Sequence, residues 1–137
     1  VAEIHAFKPK ADSEKITINL GYVDLGHIDL MVRDGFYANR TDFIRTAIRN
    51  QLERHRQATE TSVVRKRLDL GISYFSRAQL EAVRDAGEVL EIRVLGLASI
   101  DPEVSPDLAK ATIASLTILG ALHASPAVKA ALADRIA

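Results

Sequence analysis

Residues 15–20, Lys-Ile-Thr-Ile-Asn-Leu, alternate polar and apolar side chains and precede two short helical patterns. In a strand, successive side chains point to opposite faces, so Ile16, Ile18 and Leu20 share one face and Lys15, Thr17 and Asn19 the other. A lone hexamer of this kind has no partner for its backbone donors and acceptors and no cover for its apolar face. It has to pair with another copy of itself. Gly21 ends the segment.

From Val23 to Asp34 the apolar positions Leu25, Ile28, Met31 and Val32 recur at three- and four-residue spacing, which predicts a short helix with one buried face. Gly26 weakens that helix by about 1 kcal/mol relative to alanine, so packing has to hold it. Gly35 is the expected C-terminal stop. Asn39 followed three residues later by Asp42 resembles a capping box, with the Asp42 charge favourable at the positive end of the helix dipole. The second helix therefore starts there, with Phe43 or Ile44, Ala47, Ile48 and Leu52 on its apolar stripe and Arg45, Arg49 and Arg56 on another face.

The chain has 18 basic and 18 acidic residues, and this balance hides an asymmetry. Residues 1–67 hold 12 Lys and Arg against 9 Asp and Glu, residues 68–137 hold 6 against 9, and residues 40–67 alone hold 8 against 3. That local excess suits a polyanion, and it equally describes a solvated helix face with a basic tail. The chemistry of the adjoining strand favours the polyanion.

The C-terminal half contains a repeat. An offset of 24 residues aligns Leu95-Gly96 with Leu119-Gly120, Pro102 with Pro126, Val104 with Val128, Leu108 with Leu132 and Ala109 with Ala133. A weaker copy, one residue out of step, begins at Leu68-Asp69-Leu70-Gly71-Ile72. Each unit reads as a strand, a turn and a helix, the helices lying near 77–86, 106–112 and 126–136. Ser105-Pro106 and Ser125-Pro126 fit a cap followed by proline at the first helical position. A period in the range of about 20 to 29 residues with one strand and one helix is that of leucine-rich-like solenoids. Such a stack leaves open end strands that can join a second chain, whereas a closed α/β domain would need no partner.

Residues 15–55, with the strand, the turn and the capped Arg-rich helix, resemble the ribbon-helix-helix family of bacterial regulators often labelled CopG-like. Gly21-Tyr22 stands where the family commonly has proline, and Gly26 lies in a helix that seldom carries glycine. The resemblance implies a dimeric DNA-binding domain, usually a repressor. By position it places the base-reading residues at Lys15, Thr17 and Asn19 and the phosphate-binding helix start at Asn39, Arg40 and Thr41. The fold class expected is α+β: an intertwined ribbon-helix-helix dimer followed by a small α/β leucine-rich-like solenoid of about three strand-helix repeats.

The expected organisation is a flexible arm over 1–14, including Lys8, Pro9 and Lys10, and a DNA-binding domain over 15–56. A polar linker or helix extension over 57–67 and a repeat domain over 68–137 for assembly or sensing follow. A two-stranded ribbon fits the major groove, where Lys15 can donate to guanine, Asn19 can pair with adenine and Thr17 can bond or pack on thymine. The expected partners are double-stranded DNA and a second copy, with a tetramer or larger assembly through the C-terminal domain left open. No effector is named by the sequence. No enzyme and no cofactor are expected: His5, His27, His55 and His123 are isolated, there is no cysteine, and no glycine-rich phosphate loop occurs. No apolar run reaches the roughly 18 residues of a membrane span, so a cytoplasmic location is expected. The alternative function is an antitoxin that represses its own operon, although neutralising segments tend to be disordered before binding and residues 68–137 are rich in Leu, Ile and Val.

Overall fold

A computed structural model describes residues 13–137. The expected arm, with His5, Lys8, Pro9 and Lys10, lies outside the described residues apart from Ser13 and Glu14. The described chain forms two compact units, 13–62 and 63–137.

In the first unit, residues 13–21 carry no helix, and among the described residues they have no ladder partner. Helix α1 (Tyr22–Arg33) follows, with Ile28 buried and Leu25, Met31 and Val32 half-buried on the face that the three- and four-residue spacing predicts. Its end is a Schellman motif: Gly35, at φ +85°, donates to the Val32 carbonyl, and Phe36 donates to that of Met31. Gly35 is the residue this turn needs, since a left-handed backbone costs a residue with a Cβ about 1–2 kcal/mol. Helix α2 (Arg40–Arg54) starts at Asn39, whose side-chain oxygen accepts from Asp42 N–H at 2.8 Å. Tyr37 sets its ring edge against Phe43 across this start, with centroids 4.9 Å apart. Helix α3 (Arg56–Lys66) continues after His55, so the polar segment is helical and the division between the two units falls within it.

Helix α3 also ends in a Schellman motif, but with Arg67 in the left-handed position at φ +54°. Arg67 donates to Val64 and Leu68 to Val63, and the chain turns directly into the sheet. The second unit is three parallel strands in chain order, β1 (Asp69–Phe75), β2 (Leu90–Ile100) and β3 (Ile113–His123). Each strand is followed by a helix: α4 (Arg77–Asp85), α5 (Pro106–Thr112) and α6 (Pro126–Ala131). Each of these three helices is capped by serine. Ser76 accepts from Gln79 N–H, Ser105 from Leu108 and Ser125 from Val128.

The repeat offset becomes the strand register: Leu95 pairs with Leu119 and Gly96 with Gly120, while the out-of-step copy places Leu70 beside Leu95 and Gly71 beside Gly96. The core lies between the sheet and the helices, built from Ile92, Val94, Ala98 and Ile100 on β2, Ile113 and Leu116 on β3, and Leu80, Leu108, Val128 and Leu132 from the helices and turns. Arg135, in a 3₁₀ turn (Ala133–Arg135), donates to the carbonyls of Lys110 and Ile113 at 2.6 and 2.7 Å and so closes the end of α5.

The three aligned glycines all take positive φ, +113° at Gly71, +136° at Gly96 and +123° at Gly120. A Cβ on Gly96 would overlap the Gly71 carbonyl, and one on Gly120 would overlap the Gly96 carbonyl. Backbone therefore lies against backbone along this row, which only glycine permits.

Two substitutions test this account by denaturant unfolding of the C-terminal transition. Gly96→Ala combines backbone strain with a collision against main chain and is expected to cost about 3 kcal/mol or more. Arg67→Gly relieves the left-handed strain and is expected to gain about 0.5–1 kcal/mol, part of the relief being lost to unfolded-chain entropy.

Candidate nucleic-acid interface

Lys15, Thr17 and Asn19 are all exposed. So is the opposite, apolar side of the same segment, with Ile16 at 74% and Ile18 at 58% of full accessibility. Tyr22 and Val23 at the start of α1, and Leu30, Phe36, Ile48 and Leu52 beyond it, are exposed as well, and Ile28 is the one buried hydrophobic residue among the described residues 13–62. The stripe predicted for α2 is thus only begun inside the single chain: Phe43 and Ile44 are half-buried, whereas Ala47, Ile48 and Leu52 face solvent.

At the start of α2 the three residues expected to meet phosphate are exposed and adjacent, and two of them already have internal partners. The Asn39 side chain caps Asp42 N–H, and the Asp42 carboxylate accepts from Ala38 N–H at 3.0 Å, closing a reciprocal cap. The Arg40 guanidinium makes a bidentate pair with Asp29 on α1, Nε to Oδ1 and Nη2 to Oδ2, both at 2.8 Å. Sequence spacing does not show this pair, because its members lie eleven residues apart on two helices. Its effect is to fasten the start of α2 to the last part of α1. The hydrogen bond and charge of Arg40 hold the Asp29 carboxyl below the usual carboxylate range, and Asp29 in turn raises Arg40 above its ordinary value.

The backbone N–H groups of Arg40 and Thr41 precede the first bond of the helix ladder, which Phe43 makes to the Asn39 carbonyl at 3.2 Å. Together with the helix dipole they form the kind of donor pair that receives an oxyanion. Arg45 and Arg49 stand one turn apart on the exposed part of α2.

Proteins that read DNA with a two-stranded β-ribbon form one class of regulators. Residues 11–129 match the model of the ribbon-helix-helix transcriptional regulator family, and the chain belongs to that family. The match runs through the sheet unit as well as the N-terminal one, so both are parts of the family's architecture. No curated protein and no solved structure matches the chain. Among the described residues, no helix is long and apolar enough to cross a membrane.

The pair between α1 and α2 has a defined pH signature. Asp29 has a lowered native pKa, so its contribution is complete above the unfolded carboxylate value and is lost as pH falls through the native one, while Arg40 stays charged throughout. In a carboxyl-carbon NMR titration, Asp29 is expected to titrate below the ordinary aspartate range, and Arg40→Gln is expected to return it toward that range. An unchanged midpoint in Arg40→Gln would contradict the assignment of the shift to this pair.

Proposed function

We propose that this protein is a sequence-specific transcriptional repressor that binds duplex DNA as a dimer, with residues 15–20 of two copies forming a two-stranded antiparallel ribbon in the major groove. The observation that carries this reading is the exposed apolar side of that segment, Ile16, Ile18 and Leu20, on a unit that buries one hydrophobic residue of its own. Pairing two such segments would satisfy their backbone groups, cover that side and leave Lys15, Thr17 and Asn19 of each copy on the outer side. A ribbon of this width enters the major groove, where the three residue types match guanine, thymine and adenine edges respectively.

The phosphate contact falls at the start of α2. The Asn39 Oδ1 is held by Asp42 N–H and two of the five Arg40 guanidinium N–H groups by Asp29, so the donors left for phosphate are the Arg40 and Thr41 backbone N–H groups, the Thr41 hydroxyl, the Asn39 amide NH2 and the remaining guanidinium N–H groups of Arg40. The same two residues hold that helix start in place, and a phosphate clamped there fixes the ribbon in register. The C-terminal strand-helix repeats, read as a short solenoid, serve assembly or signal sensing. The antitoxin alternative gains no support: residues 68–137 carry a buried core of their own, unlike a segment that orders only on meeting a toxin.

The test is binding to sites selected from a random DNA pool, followed by titration with salt. Log affinity is expected to fall linearly with log salt, at about −0.9 per neutralised phosphate. Lys15→Ala and Asn19→Ala are each expected to lose about 1–3 kcal/mol of discrimination at one base position while leaving the salt slope almost unchanged. A flat salt response, or the same base preference in both variants, would contradict this function.

A further inference from the structure

The two outer strands of the C-terminal sheet are complementary to each other, and we infer that β3 of one copy pairs in parallel with β1 of a second, extending the stack head to tail. This deepens the assembly role proposed for the repeats and is independent of the DNA-binding reading.

Within one chain the strands are joined backbone against backbone at their aligned glycines. Gly96 receives the Gly71 carbonyl against its backbone, and Gly120 receives that of Gly96. Gly71 holds the same positive φ, yet among the described residues nothing lies within 4 Å of where its Cβ would be. Among the described residues, the receiving conformation on β1 thus has no carbonyl against it, and the next carbonyl in the series, that of Gly120, is on the exposed outer strand at the other end.

The side chains repeat the same rule. Leu70, Leu95 and Leu119 form one row across the sheet, on the face away from the core. Its interior member, Leu95, is half-buried, while Leu70 is 75% and Leu119 51% exposed. Carrying the internal register one step further places Leu70 of a second copy beside Leu119, Gly71 beside Gly120 and Ile72 beside Ala121. A row that is apolar at both ends, with no polar capping unit among the described residues, is what a stack shows where it continues.

On the outer edge of β3, Leu116 makes a parallel bridge to Ile136, and Ala137 N–H donates to the Leu116 carbonyl at 2.8 Å. The register carried one step further begins two residues beyond that bridge, at Ile118, since Asp69 aligns with Val94 and Val94 with Ile118. Because the two contacting edges differ, the contact is heterologous, and each added copy presents the same pair of ends again.

Sedimentation velocity of the full chain across a wide concentration range tests this. The smallest species reports pairing of the N-terminal units, and concentration-dependent growth above it reports the sheet contact, so the two can fail separately. Wild type is expected to grow. Leu70→Lys and Leu119→Glu, both at exposed positions, are each expected to stop growth alone. An equimolar mixture of the two is expected to regain it, because every junction then joins either the native leucine pair or the lysine to the glutamate. Ile72→Lys with Ala121→Glu repeats the design should circular dichroism show either first variant unfolded. No growth of wild type, growth of Leu119→Glu equal to that of wild type, or a mixture that remains at the smallest species would each overturn the head-to-tail pairing.

Discussion

The constraint that governs the rest of the molecule is the large apolar surface that the N-terminal unit leaves exposed. Residues 13–62 place Ile16, Ile18, Tyr22, Val23, Ile48 and Leu52 in solvent and bury only Ile28 among their hydrophobic residues. Burial contributes about 25 cal/mol per Å² of apolar surface, and a unit this small has little other means of offsetting the entropy of an ordered backbone. What the single chain does supply is local: a Schellman turn at Gly35, a reciprocal cap at Asn39 and Asp42, and the Asp29–Arg40 fork between the helices. These set the path of the chain. In the proposed dimer a second copy would supply the cover, and the surface that such pairing would keep in solvent is the one carrying Lys15, Thr17 and Asn19.

The C-terminal unit follows the opposite logic. Its core is complete within one chain, from Leu80 on the first helix to Leu132 after the last. The glycine row sets how closely neighbouring backbones approach, and the serine caps start each helix at the same place relative to its strand. A structure made this way has no intrinsic last unit, because the contact that joins one strand to the next is also the contact its outer strands present. The bridge from Ile136 to Leu116 lies near the start of the outer edge of β3.

Much of this was legible in the sequence where a local rule was enough. Gly35 marked the end of α1, Asn39 the start of α2, and the 24-residue offset reappears as the β2–β3 register, while the one-residue slip of the first copy is the β1–β2 register. Features that depend on distant groups were not. The Asp29–Arg40 pair joins two helices through side chains that no spacing rule links, and it gives Arg40 a structural partner where the family pattern alone implied phosphate. Ser76 caps its helix like the other two serines but lacks the proline that made them visible. The polar stretch after His55 had no apolar stripe to mark it as helix, yet it is helical to Lys66 and ends on Arg67 in a position usually given to glycine. The positive φ shared by the three glycines belongs to the pairing of strands, and sequence offered only their alignment.

The central claim is that residues 15–20 of two copies form one shared antiparallel pair. Isotope-filtered NOE spectroscopy on full-length protein assembled from labelled and unlabelled copies tests it most directly. The account predicts cross-strand contacts between labelled and unlabelled Ile16–Leu20 backbones, in a pattern symmetric about the middle of the segment. Finding these residues in contact only with their own chain, in protein that still binds its selected DNA site, would contradict it.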